Sequence, residues 1–490
     1  MRVILILLLQ VVMSVALGQA PSFAGFNLFA GKSVDLGSAI CTDKNNYYYI
    51  TGTFSNVSAF GADSLIVDCI GIPAPQSNVI NGFLLRFDST KTLDLKLTVS
   101  NGLLGKTVTD DQGNIIVSGA MNYGATRDGF LRKYDKRGAI VWTKFVQSFS
   151  GSAGYGDDVI TSLDISTDGS LVVSAFSNGT QLSVFGTPVA GPSNFVAKLS
   201  AQGDVQWIYH VTSTLGFGVY RVRFDDHGDV LIAGNEREIT ANESRGLIGK
   251  VSGITGLLLW KKGLLSTGSY FPWMRAIGKY KNGYIFGGEF GGQLQAGDSL
   301  FTSSGNTDIV IIKTDTAGNL LWANKGGSTG RDRLYSLICD TNSVTYITGG
   351  YSDAFRYNNF LNLPSRGYTD VYVIAVDSSG NALWEKHGGS TIPGKTDDSF
   401  YEEYGADITV DTKKQIHVVG TTRGSGNFGS LVFNAADDVM QNAFWLTLGK
   451  QEIADTVIYP CYKPVPVIDT ASAFSVSIAT SSEALGYGCR

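Results

Sequence analysis

The sequence predicts an all-β chain, a seven-bladed β-propeller of four-stranded blades closed by an N-terminal strand in the last blade. Three observations carry this. An apolar run, ending in most copies in Gly, recurs at Ile50–Phe54, Val117–Met121, Val173–Phe176, Ile232–Asn235, Phe286–Phe290, Ile347–Tyr351 and Val418–Thr422. A second run follows about 30 to 40 residues later and ends in a turn and usually a Trp. It is clearest before Trp142, Trp322 and Trp384 and weaker before Trp207 and Trp260. Helical periodicity is absent between the runs, so each unit is built from short strands that cannot bury their faces alone.

In chain order, Arg2 precedes the apolar stretch Val3–Val15 and small residues through Gly18 and Ala20. This reads as a signal peptide over 1–18, cleaved after 18 or 20. Later stretches are too short or too polar to span a bilayer, so the mature chain is expected to be exported and soluble: secreted, cell-surface, or periplasmic in a bacterium. The propeller is assigned to 19–450.

The sixth unit shows how each blade reads. Leu334–Asp340 is a short apolar strand, Thr341–Ser343 a turn, and Val344–Gly349 a β-branched second strand. Val371–Val376 is the third strand, Asp377–Gly380 a hairpin, and Asn381–Trp384 opens the fourth. In Asp-x-x-Gly the Asp accepts backbone hydrogen bonds and the Gly supplies positive φ, so both serve the turn. Blade one departs, with Thr90-Lys91-Thr92 in the turn and Leu95 in the Trp position. The last unit runs through Ile408–Val410, Ile416–Gly420 and Phe444–Leu448 without a fourth strand. Gly25–Ala30, just before the first inner strand Ser38–Cys41, is expected to supply it and so remove an exposed edge.

The tail 451–490 carries Pro460, Pro464 and Pro466 and then a Ser/Ala/Thr-rich stretch. Of five Cys, an odd number, Cys461 and Cys489 flank this tail and are the expected disulfide. Asn56, Asn178 and Asn242 head glycosylation sequons that matter in a eukaryotic source.

The units resemble the SBBP-type β-propeller repeat of exported bacterial proteins. The resemblance lies in Tyr346–Gly349, in Ile309–Lys313 continuing through Gly318-Asn319-Leu-Leu-Trp322, and in Gly326-Gly-Ser-Thr-Gly-Arg-Asp332. It implies a propeller and an exported context, and no single activity. Thr255-Gly256-Leu-Leu-Leu-Trp260 also looks like the tryptophan-docking turn of quinone-dependent dehydrogenase propellers and of a related outer-membrane assembly lipoprotein. That likeness is confined to the turn, and the adjacent Cys pair many of those enzymes carry is missing.

A net charge of −5 gives no electrostatic footprint for nucleic acid or an anionic membrane. The four His show no metal-ligand spacing, the Asp clusters lack a calcium-loop pattern, and no nucleophile elbow or phosphate loop occurs. No metal or cofactor is expected. Aligning the inner strands places Ala39, Lys106, Ser162, Arg221, Arg275, Ser336 and Asp407 at one channel-facing position. Lys106, Arg221, Arg275 and Asp407 are therefore candidate binding residues for an anionic ligand. The blander reading, favoured here, is that they compensate one another.

The loops Leu65–Asn81, Ser352–Asp370 and His387–Glu403 are candidate contact surfaces. Tyr351, Tyr357, Phe360, Tyr368, Phe400, Tyr401 and Tyr404, in or beside two of these loops, make them aromatic-rich. The competing reading packs these rings onto the blades. The expected function is non-catalytic binding of a protein or carbohydrate through such loops. The alternative is a polysaccharide-acting enzyme, for which Asp332 converging with Glu403 or Asp398 at the channel mouth would be the sign. A quinoprotein-like dehydrogenase is the lesser alternative.

Overall fold

The structure, a computed structural model, describes residues 20–29, 34–55, 80–123, 126–148, 158–177, 179, 181–190, 193–211, 218–238, 243–268, 270–358, 362–391, 402–434 and 441–449. They form seven antiparallel sheets, each built on four blade strands; in six these come in chain order, and in the seventh the fourth is Ser22–Phe29 from the start of the chain. The inner strands are Asp35–Thr42, Gly102–Thr109, Asp158–Ile165, Val219–Phe224, Trp273–Tyr280, Arg333–Cys339 and Tyr404–Val410. Each contacts the next in chain order and the last contacts the first, which makes the ring.

Closure follows the sequence reading, with wider bounds. Ser22–Phe29 pairs antiparallel with Gln441–Gly449, from Ser22 opposite Gly449 to Phe29 opposite Ala443. Phe26 is buried against Phe428, Phe433 and Phe444, with ring centroids 5.2, 5.1 and 5.8 Å away. The signal segment, the tail 451–490 with Cys461 and Cys489, and the sequons at Asn56, Asn178 and Asn242 lie outside the described residues. Of the cysteines that are described, Cys41 and Cys339 are both free.

Turn chemistry is local. Asp340 Oδ1 accepts from the amides of Asn342 and Val344 at 2.8 and 3.0 Å, and Ser343 takes a φ of 63°. Between blades, the hairpin Gly and the outer-strand Trp form one joint. A Cβ on Gly318 would stand 2.7 Å from the Trp260 ring of the preceding blade, and one on Gly256 would stand 2.9 Å from Trp207. The Lys of the third strand completes the joint. Lys198 Nζ and Trp207 Nε1 both donate to Gly253 O, at 2.8 and 3.1 Å. Lys313 Nζ and Trp322 Nε1 do the same to Ser378 O, at 2.6 and 3.1 Å. In blade one, where Leu95 replaces Trp, Arg86 Nη1 reaches Lys136 O at 2.7 Å.

The long insertions between second and third strands extend the preceding blade. Gln181–Val184 and Thr187–Ala190 add to blade two, Gln293–Ala296 and Ser299–Thr302 to blade four, Arg356–Tyr357 to blade five, and Gly426–Phe428 with Leu431–Phe433 to blade six. Much of the Ser352–Asp370 loop is therefore wall. Tyr351 and Tyr357 are fully buried with Phe355 and Tyr372 and offer no contact surface, which corrects the sequence expectation for both. Pairing with an otherwise open sheet edge fixes Tyr357 inside, while Tyr351 ends the second strand and packs against Phe355 and Tyr372.

Candidate functional site

Each inner strand has a register shift near its start, and this sets what faces the channel. The ring position falls on Ala39, Lys106, Ser162, Arg221, Ala276, Ser336 and Asp407. Arg275 is the bulged residue, one position early, so it leaves the ring assigned to it from sequence and joins a second layer at the mouth.

The ring is a compact knot on Asp407. Its carboxylate accepts from Lys106 Nζ at 2.9 Å, Arg221 Nη2 at 3.3 Å, Ser336 Oγ at 2.6 Å and the Ile40 amide at 3.2 Å. Arg221 Nη2 also donates to Ser336 Oγ at 2.9 Å. Burial alone would raise the Asp407 pKa, but Lys106 and Arg221 outweigh it and hold the carboxyl below its usual value. Burial and the neighbouring Arg221 together lower the Lys106 ammonium to about 8. Lys106, Arg221 and Asp407 thus compensate one another, as the blander reading expects.

The second layer lies at the end of the channel where the inner strands begin. Trp273 stacks on Tyr220 at 4.8 Å, and Tyr335 on Tyr404 at 4.5 Å. Arg275 sits between these pairs, 4.7 Å from the Trp273 ring and 5.4 Å from the Tyr335 ring, and pairs with Glu289 at 2.8 Å. Arg333 Nη1 donates to Tyr335 Oη at 2.9 Å and to Glu402 at 2.5 Å. Arg331 holds the other oxygen of Glu402 at 3.0 Å and donates to Tyr270 Oη at 3.0 Å. The carboxylates are buried, while Arg275, Arg331 and Arg333 keep about a quarter of their side-chain surface open. Burial pushes the Glu289 carboxyl up, against the pull of Arg275 and Arg333.

This layer is one-sided. Blades four to seven supply the rings and guanidinium groups, whereas the equivalent positions of blades one to three carry Leu36, Ser38, Leu103, Gly105, Val159 and Thr161. Across both layers, Lys106, Arg221, Arg275, Arg331 and Arg333 outnumber Asp407, Glu289 and Glu402 by five to three in a chain that is acidic overall. Sequence alignment at a single position missed Trp273, Arg331, Arg333 and Tyr335. The signal was the positions one and three residues before the ring position, whose facing the bulge obscured.

The other candidates divide. Tyr404 belongs to the mouth, on an inner strand and not on a loop. Tyr368 is half-buried at a bend; Phe360, Asp398, Phe400 and Tyr401 lie outside the described residues. Asp332 and Glu403 are buried in separate blade junctions and do not converge on the channel, so the expected sign of polysaccharide chemistry is not met by that pair. On the opposite face a cleft of 480 Å³ lies between blades one and two, lined by side chains of both signs such as Lys44, Arg86, Asp110 and Asp111. Arg86 there is locked to Asp94 at 2.8 Å. Among the described residues no group of three or more His, Cys, Asp or Glu side chains is arranged to hold a metal.

No family model matches the sequence, and no curated protein does. Solved structures resemble the fold. The Pan2 WD40 domain of Neurospora crassa has 8% identity and a TM-score of 0.44, covering 89% of this chain and 99% of that one. Quinohemoprotein alcohol dehydrogenase from Comamonas testosteroni has 10% identity and a TM-score of 0.43, over 91% and 78%. The β-propeller domain of the Trilobed protease from Pyrococcus furiosus has 8% identity and a TM-score of 0.42, over 89% and 98%. These likenesses transfer no activity to this chain.

Proposed function

We propose that this chain is a non-catalytic binding module that takes an acidic carbohydrate at the channel mouth on blades four to seven. The observation that carries this is the half-ring of Trp273, Arg275, Tyr335, Arg333 and Tyr404. Ring faces suit the apolar face of a sugar, and guanidinium forks suit carboxylate or sulfate groups. The mouth has more cationic than anionic groups, and its cations are recessed, which favours the end of a chain over a flat protein surface. Both mouth carboxylates are committed to guanidinium groups, which supports binding without catalysis. The resemblance to the SBBP-type repeat and the apolar stretch Val3–Val15 support placing the module outside the cytoplasm. Probing the mature chain against matched acidic and neutral oligosaccharides tests this. Selective retention of the acidic set is expected, and equal or absent binding of both sets would refute the reading.

A further inference from the structure

The segments that open the inner strands of blades six and seven carry mouth groups and buried acids in alternation. Arg331 and Arg333 flank Asp332, and Glu402 and Tyr404 flank Glu403. The flanking residues meet at the mouth, while Asp332 and Glu403 turn the other way into the junctions between blades.

Glu403 is saturated with donors. Its Oε2 accepts from the Ser390 amide and hydroxyl at 2.9 and 3.1 Å, and its Oε1 from Thr422 Oγ1 and the Arg423 amide at 2.6 and 2.7 Å. Its own amide donates to Thr369 Oγ1 at 2.7 Å. Asp370, fully buried, accepts from the Arg366 amide on Oδ2 at 2.6 Å, and its Oδ1 has no partner. Bare Gly389 brings these oxygens together. A Cβ on it would stand 2.3 Å from Asp370 Oδ1 and 2.9 Å from Glu403 Oε2. Two buried carboxylates facing each other over such a gap are costly unless a proton lies between them. Because four donors already occupy Glu403, the proton belongs on the orphan oxygen of Asp370. One junction earlier Gly327 lies likewise against Asp308, whose charge adds to the rise that burial gives the Asp332 carboxyl, and Lys325 pairs with Asp308 at 2.8 Å.

We propose that Glu403 is a positioning residue of the ligand site, fixing Glu402 and Tyr404 at the mouth through a proton that Asp370 carries and donates to it. This rests on the mouth being the ligand site. Burial pushes the Glu403 carboxyl up to about 7, with Asp370 adding to the rise, and burial pushes Asp370 up as well. The charged and titratable groups around the pair are Arg366, His387 and Tyr351, with Glu385 beyond His387. A carboxyl group held protonated in the folded chain stabilises it below its unfolded-state pKa. For this pair that stability is lost between the ordinary carboxyl value, about 4, and the raised folded value, which for Glu403 is about 7.

The test uses the full mature chain and two variants. In the wild type, the pair should lower the melting temperature between pH about 4.5 and about 7, and affinity for polygalacturonate should weaken by roughly tenfold between pH about 6 and about 8. Asp370→Asn places an amide donor where the proton sits, so it should keep the wild-type melting temperature at the lower pH and lose most of both slopes. Glu403→Gln sets an amide NH2 against the donors of Ser390 and Arg423, so it should lower melting and affinity at every pH. Wild-type slopes retained in Asp370→Asn, or identical behaviour of the two variants, would overturn the proposal. If the wild type binds no polygalacturonate at either pH, the mouth reading and the positioning role both fall. The melting slopes would then still decide whether the pair holds a proton.

Discussion

Gly318 has a φ of +83°, and a Cβ there would stand 2.7 Å from the Trp260 ring, so two separate requirements fall on one residue. Gly186 has a φ of +92° with nothing within 4 Å, so only backbone strain acts there. Gly186→Ala is expected to cost about 1 kcal/mol and Gly318→Ala about 2–4 kcal/mol, read from denaturant midpoints. Equal costs would show that the Trp joint adds nothing. The Gly, Asp and Trp roles were legible in the sequence because they repeat. The Lys of the third strand was visible in the same repeat, but its partner is a carbonyl one blade away, which local pattern does not reveal. Arg275 was misplaced for a related reason, since a bulge moves a residue off its face without leaving a trace in composition.

Among the elements, closure was the most legible, because a unit lacking its fourth strand and a spare strand at the other end can be matched from the chain alone. Deleting residues 21–30 exposes the edge of Gln441–Gly449 and removes Phe26 from its aromatic cluster. A melting temperature lowered by at least about 10 °C, or aggregation on heating, is expected in light scattering and calorimetry. An unchanged transition would contradict the closure. The insertions were the least legible elements. Length and composition marked them as variable loops, but strand addition to a neighbouring blade depends on a free edge supplied by the fold. Tyr357 is buried for that reason and Tyr351 because it ends the second strand beside Phe355, whereas Tyr404, on an inner strand, reaches the mouth.

For the whole molecule, two buried systems oppose each other across the pH scale. His417 is buried with Asp411 at 3.2 Å and accepts from Trp445 Nε1 at 3.3 Å, and burial lowers its pKa to about 4. Between about 6.5 and 4 the unfolded chain therefore binds a proton that the folded chain refuses, and stability falls as pH drops, by up to about 3 kcal/mol. The raised Glu403 carboxyl works in the other direction over nearly the same span, between about 4.5 and 7, so the two contributions partly cancel. His417→Asn should therefore leave a stability that falls more steeply as pH rises from about 4.5 to about 7; an unchanged pH profile would remove His417 from the account. The one-sided mouth is also a property of the assembled ring, since no single blade contains it. Its Trp273, Arg275, Arg333 and Tyr335 come together only when blades five and six stand side by side. The most direct measurement is calorimetric titration of an acidic oligosaccharide into wild type and into the Arg275→Ala, Arg333→Ala double variant, with melting curves confirming that both are folded. The expected result is an affinity at least about tenfold weaker in the variant, with neutral sugars unchanged. Equal affinity in the two folded proteins would contradict a ligand site at the mouth.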